Sequence, residues 1–82
     1  MVKSSPYSNN ATDITFATST TSGSTTAGAL SISVHNIGAG AGTVGGIALA
    51  AGEGWDFTDN GPYNSIAFNA TGTTFEIVEE NE

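Results

Sequence analysis

The single imidazole of this 82-residue chain, His35, is the first place to look for chemistry, because Ser31 and Ser33 share its phase in an alternating run. A Ser-His-Asp arrangement needs the imidazole beside an activated hydroxyl and an orienting carboxylate. Leu30, Ile32 and Val34 occupy the other phase of the same run, which is the pattern of a strand with one apolar and one polar face. No glycine-framed serine turn of the kind that exposes a hydrolase nucleophile accompanies it. His35 is therefore expected to be a strand-face or contact residue, and hydrolase chemistry is rejected.

The glycines that follow could cradle a phosphate, and Gly40, Gly42 and Gly45 match a Gly-x-Gly-x-x-Gly spacing. A phosphate loop needs a strand before it, a helix after it, and a Lys or a helix N-terminus aimed at the anion. Here residues 44–49 continue in a strand pattern, and the only basic side chain in the chain is Lys3. The stretch containing Gly38, Gly40, Gly42, Gly45 and Gly46 is read instead as a low-bulk connection that lets another backbone approach closely.

Glu53, Asp56, Asp59 and Asn60 form the best oxygen-ligand cluster for a hard cation such as calcium. Calcium takes roughly six to eight oxygens, and this spacing fits no calcium loop, so the residues are expected to be solvated turn positions. Trp55, Tyr63 and the four phenylalanines would make a carbohydrate-stacking platform if they were exposed. Phe16, Trp55, Phe57, Phe68 and Phe75 instead take alternating positions that a thin sandwich must fill, which leaves Tyr7 and Tyr63 as the rings expected at the surface. No catalytic, cofactor-binding or metal-binding residue is nominated, no cofactor is expected, and the chain is read as non-enzymatic.

Composition narrows the partners. Eight Asp and Glu against one Lys give a formal charge of -7, which repels phosphate backbones and anionic headgroups, so neither nucleic acid nor membrane is an expected partner. The absence of cysteine excludes a disulfide framework, a thiolate zinc site and a Cys nucleophile. Leu, Ile, Val and Phe number sixteen, against fifty Gly, Ala, Ser, Thr and Asn, so the possible core is thin. A domain of this size buries only about 60% of the surface of its unfolded chain and commonly needs disulfides, metals or neighbours. A homo-oligomer or a component of a larger assembly is therefore expected. Residues 1–10 lack the apolar stretch of a signal peptide, and residues 37–52 are too glycine-rich and short to span a bilayer. The expected location is the cytosol of the producing cell or a particle assembled there.

The elements that must position these residues read as strands. Apolar residues alternate at Ile14 and Phe16; at Leu30, Ile32 and Val34; at Trp55 and Phe57; at Ile66 and Phe68; and at Phe75 and Ile77. A sixth strand is expected over residues 43–50, with a bulge or sharp bend at Gly45 and Gly46. Residues 22–26, 36–42, 51–54, 59–62 and 70–72 carry turn formers, and no helical period runs for ten residues. The pattern predicts an all-β domain, a small antiparallel β-sandwich or jelly-roll-like barrel of about six to eight strands. Residues 66–68 and 75–77 are expected to pair as a hairpin closed at Gly72, and residues 59–62 to turn at Asn60-Gly61. Thirteen Ser and Thr between Ser4 and Thr26 are read as an arm with one strand inside it, or as an arm exchanged onto a neighbouring subunit. The expected organisation is a polar arm over residues 1–11, one sandwich domain over residues 12–79, and an acidic tail over residues 80–82. Glu76 and Glu79 should lie on alternate faces of the last strand, with Glu79, Glu80 and Glu82 solvated.

Four segments together resemble small β-sheet structural proteins encoded among the virion genes of tailed bacteriophages: residues 31–38 (Ser-Ile-Ser-Val-His-Asn-Ile-Gly), residues 42–46 (Gly-Thr-Val-Gly-Gly), residues 49–53 (Leu-Ala-Ala-Gly-Glu), and residues 63–77 with their Asn-Ala-Thr-Gly-Thr-Thr-Phe-Glu-Ile ending. The resemblance covers residues 29–78 and is one of strand, Asn-Gly turn and Gly-Glu turn. It implies a virion subunit of capsid-decorating, head-fibre or tail-associated type, acting through contacts with itself and other virion proteins. No site residue is implied by it. A carbohydrate- or receptor-binding β-module of an adhesive assembly is the alternative expectation.

Overall fold

A computed structural model describes residues 13–58 and 61–81. They form eight strands: β1 (Asp13–Ser19), β2 (Ser22–Ser24), β3 (Ser31–Asn36), β4 (Gly42–Val44), β5 (Ile47–Leu49), β6 (Gly54–Phe57), β7 (Ala67–Asn69) and β8 (Phe75–Asn81). No helix occurs among the described residues. The strands make two four-stranded antiparallel sheets, ordered β1-β8-β3-β6 and β2-β7-β4-β5, in a sandwich-like arrangement. The expected all-β class and strand number hold.

The pairing is nested. β4 pairs with β5, β3 with β6, β2 with β7 and β1 with β8, as if one long hairpin had been folded over into two layers. Its tip is the Gly45-Gly46 turn, where both residues have positive φ, 56° and 84°. A two-residue turn of the primed type demands that backbone, and glycine adopts it without a Cβ clash. The single strand expected over residues 43–50 is thus two strands joined by a reversal, and the bend was the correct part of that expectation.

Every second residue of the inner strands points between the sheets. Ile32 and Val34 of β3 and Phe75 and Ile77 of β8 meet Val44, Leu49 and Phe68 from the other sheet, with Ala29 and Ala70 filling the small gaps. The Phe68 and Phe75 rings come from opposite sheets and lie 6.2 Å apart, tilted by 45°.

Several expectations are corrected here. β7 and β8 do not form a hairpin: β7 pairs with β2 and β4, β8 with β1 and β3, and residues 70–74 carry the chain between the sheets. Alternation is the same whether two strands lie side by side or face each other across a core, so Phe68 and Phe75 could not distinguish the cases. Residues 22–24, expected in a turn, form β2. Tyr63, expected at the surface, is half-buried and packs edge-on against Phe57 at 5.9 Å. Glu79, expected in a solvated tail, is buried on the inner face of β8, which continues to Asn81. It accepts a hydrogen bond from the Thr26 N–H at 3.2 Å. Glu76 is exposed on the opposite face, as expected. Within the Ser/Thr-rich segment, expected to hold one strand, residues 13–19 and 22–24 form two, β1 and β2. The arm expected over residues 1–11, Thr12, the Asp59-Asn60 half of the expected turn and Glu82 lie outside the described residues.

Ile32→Ala is expected to destabilise the fold by about 2–5 kcal/mol and Phe75→Ala by about 3–5 kcal/mol, since each leaves a cavity between close-packed sheets. Chemical denaturation at matched protein concentration checks this, and losses near zero at both sites would remove the assigned core.

Candidate functional site

His35, Ser33 and Asp56 do come together on the outer face of the first sheet, since β3 pairs with β6 in the register Ser33↔Asp56 and His35↔Gly54. Their bonding is not that of a catalytic triad. The Ser33 hydroxyl donates directly to Asp56 Oδ1 at 2.6 Å, so the carboxylate holds the serine and not the imidazole. His35 is two residues further along the strand and exposed. His35 is thus a strand-face residue.

The acidic cluster does not converge either. Glu53 turns back on its own loop, with Oε1 accepting the Ala50 N–H at 2.8 Å, while Asp56 is engaged by Ser33. Among the described residues no group of three His, Cys, Asp or Glu side chains is placed to hold a metal ion. Asp59 and Asn60 lie outside them.

The glycine-rich connection does let backbones approach closely. A Cβ on Gly38 would lie 2.5 Å from the Thr74 amide nitrogen, one on Gly40 would collide with the Gly72 carbonyl, and one on Gly42 would lie 2.5 Å from the Phe75 ring. What fixes this loop is Asn36, whose side chain is fully buried. Its Nδ2 donates to the carbonyls of Gly40 (2.8 Å) and Leu49 (3.0 Å). Its Oδ1 accepts from the Gly38 N–H (3.1 Å) and from the Thr73 hydroxyl (2.7 Å). Residues 36–42 were expected to be a turn segment; the first of them is instead the last, buried residue of β3 and anchors the rest. The missed signal was phase, because 36 is in step with the buried Ile32 and Val34.

Among the described residues, two of those expected in the core, Phe16 and Trp55, stand exposed on edge strands. Ile14 and Phe16 are 37% and 71% exposed. They pair with Glu80 and Val78, the outward phase of β8, so β1 turns its apolar side to solvent and its Thr15 and Ala17 toward the inner side. Alternation told which residues share a face but not which face is inside. Trp55 is 46% exposed. It shares the inner phase with Val34, but β6 is an edge strand, and its ring lies at an open groove of about 390 Å³ with Ile47, Leu49 and Glu53.

With this geometry in hand, comparison with known proteins gave no match to any family model, curated protein or solved structure.

Asn36→Ala would take their side-chain partner from the buried Leu49 carbonyl, the part-buried Gly40 carbonyl and the buried Thr73 hydroxyl, so a loss of about 2–4 kcal/mol is expected by thermal or chemical denaturation. A loss below about 0.5 kcal/mol would mean that water replaces the amide and that Asn36 is not the anchor.

Proposed function

We propose that this chain is a non-enzymatic structural subunit that assembles with itself and with other proteins of a phage particle, on the head or the tail, within the host cytoplasm. The observation that carries the proposal is the uncovered side of β1, where Phe16 and Ile14 face solvent beside an open sheet edge. A chain with so few large apolar residues gains little by leaving two of them in water, and contact with neighbours would return that area to burial. The resemblance over residues 29–78 supports a virion setting. The nested pairing of the eight strands supports the jelly-roll form of the sandwich, which capsid and lectin domains share. A fold alone does not choose among functions.

Light scattering coupled to size exclusion, before and after mixing the full chain with particles that lack it, tests the proposal. The expected result is a discrete oligomer that co-sediments with the particles. A monomer that ignores them would overturn the proposal.

A second reading, a carbohydrate- or receptor-binding module of an adhesive assembly, is favoured by one observation, the half-exposed Trp55 at its groove. Trp55 is the only tryptophan, so its fluorescence reports that site alone. A saturable shift on titration with glycans, absent in Trp55→Ala, would move the assignment to this class.

A further inference from the structure

We infer that the open edge of β1 is a self-association site, at which β1 pairs antiparallel with β1 of a second copy about a twofold axis passing beside Phe16. The inference rests on the assembly reading above and names the surface through which the chain meets itself.

β1 is the longest edge strand, seven residues against three for β2, three for β5 and four for β6, and all but Ser19 are exposed. Among the described residues no strand flanks its free side. Soluble proteins guard such edges with lysine, proline or a bulge. Asp-Ile-Thr-Phe-Ala-Thr-Ser has no Lys or Pro, and β1 pairs with β8 in unbroken register from Asp13↔Asn81 to Ser19↔Phe75. Such a strand is a template for another strand.

A second copy fits this edge on charge and on pattern. Twofold pairing requires the same strip to be complementary to itself. Centred on Phe16, antiparallel pairing sets Asp13 opposite Ser19, Ile14 opposite Thr18 and Thr15 opposite Ala17, with Phe16 opposite Phe16, so no like charges face each other. The two Asp13 carboxylates then lie at opposite ends of the junction, about 20 Å apart at the usual rise per residue. The outward Glu76 and Glu80 of β8 are separated from their counterparts by three strand spacings, about 14 Å, beyond the ~8 Å screening length at physiological salt. A net charge of -7 thus does not oppose this contact as it would oppose one made through β8. On the outward face Ile14 and Phe16 of both copies form one apolar stripe across the seam, flanked by Val78. The first sheets of the two copies become one eight-stranded sheet.

The test exploits the predicted meeting of Phe16 with Phe16, using the full chain. Phe16→Lys and Phe16→Glu place like charges together on the axis, so each alone is expected to weaken the dimer at least tenfold, while an equimolar mixture regains a 1:1 dimer. Phe16 is exposed, so both variants should keep the wild-type fold, which circular dichroism checks. In the wild type, hydrogen exchange of β1 amides should slow as concentration rises. Wild-type mass retained by both variants would assign self-association to another surface and overturn this inference while leaving the assembly reading intact. Dissociation without rescue on mixing, or β1 protection independent of concentration, would overturn it too, the latter pointing to cover by the same chain. A wild type monomeric at every concentration would overturn it as well, and co-sedimentation with particles would then judge the assembly reading separately.

Discussion

The buried side-chain amide of Asn36 is the interaction on which the rest of this small sandwich depends. Four hydrogen bonds radiate from it to Gly38, Gly40, Leu49 and Thr73, and its backbone adds two more, donating to the Glu53 carbonyl at 2.8 Å and accepting from the Gly52 N–H at 2.9 Å. One residue at the end of β3 thereby ties three separate connections, over residues 37–41, 50–53 and 70–74, to one another. In a domain with a large core such loops can be left to packing. Among the described residues the core here is nine, two of them alanine, and backbone polar groups brought together without water need partners. The satisfaction is complete among the described residues: no buried side-chain nitrogen or oxygen lacks a hydrogen bond.

The glycines follow from the same constraint. Asn36 can reach Gly40 and Thr73 together only because the loop lies directly on the backbone of residues 72–74, with no room for a Cβ at Gly38 or Gly40. What composition presents as weakness, many glycines and few large side chains, is in this corner the condition for a hydrogen-bonded junction. The edge strands of the first sheet lack such compensation, and there Ile14, Phe16 and Trp55 stand in solvent.

The sequence made the class and most strand positions legible, because a period of two is a local property. It did not make legible which strands pair. β7 and β8 carry the signature of a hairpin yet belong to different sheets, since Phe68 and Phe75 fill the same space from opposite sides. Nor did it fix the inward face of an edge strand. Ile14 and Phe16 were expected inside, but the register with Glu80 and Val78 turns them out. Trp55 faces inward by phase but runs out of opposing sheet at β5 and β6. Asn36 was readable by phase alone, yet residue type argued for a turn, and type outweighed phase.

The nesting of the strands brings the first and last described residues together, with Asp13 opposite Asn81 at the same end of the first sheet. Directly paired residues of antiparallel strands have Cα atoms only about 5 Å apart. A chain that enters and leaves a domain through adjacent points spans almost no distance by passing through it. The unit bounded by residues 13 and 81 is therefore geometrically suited to insertion: a host protein's surface turn can open, admit it and close again with its own backbone barely displaced. The Gly45-Gly46 reversal between β4 and β5 lies at the other end of this nesting.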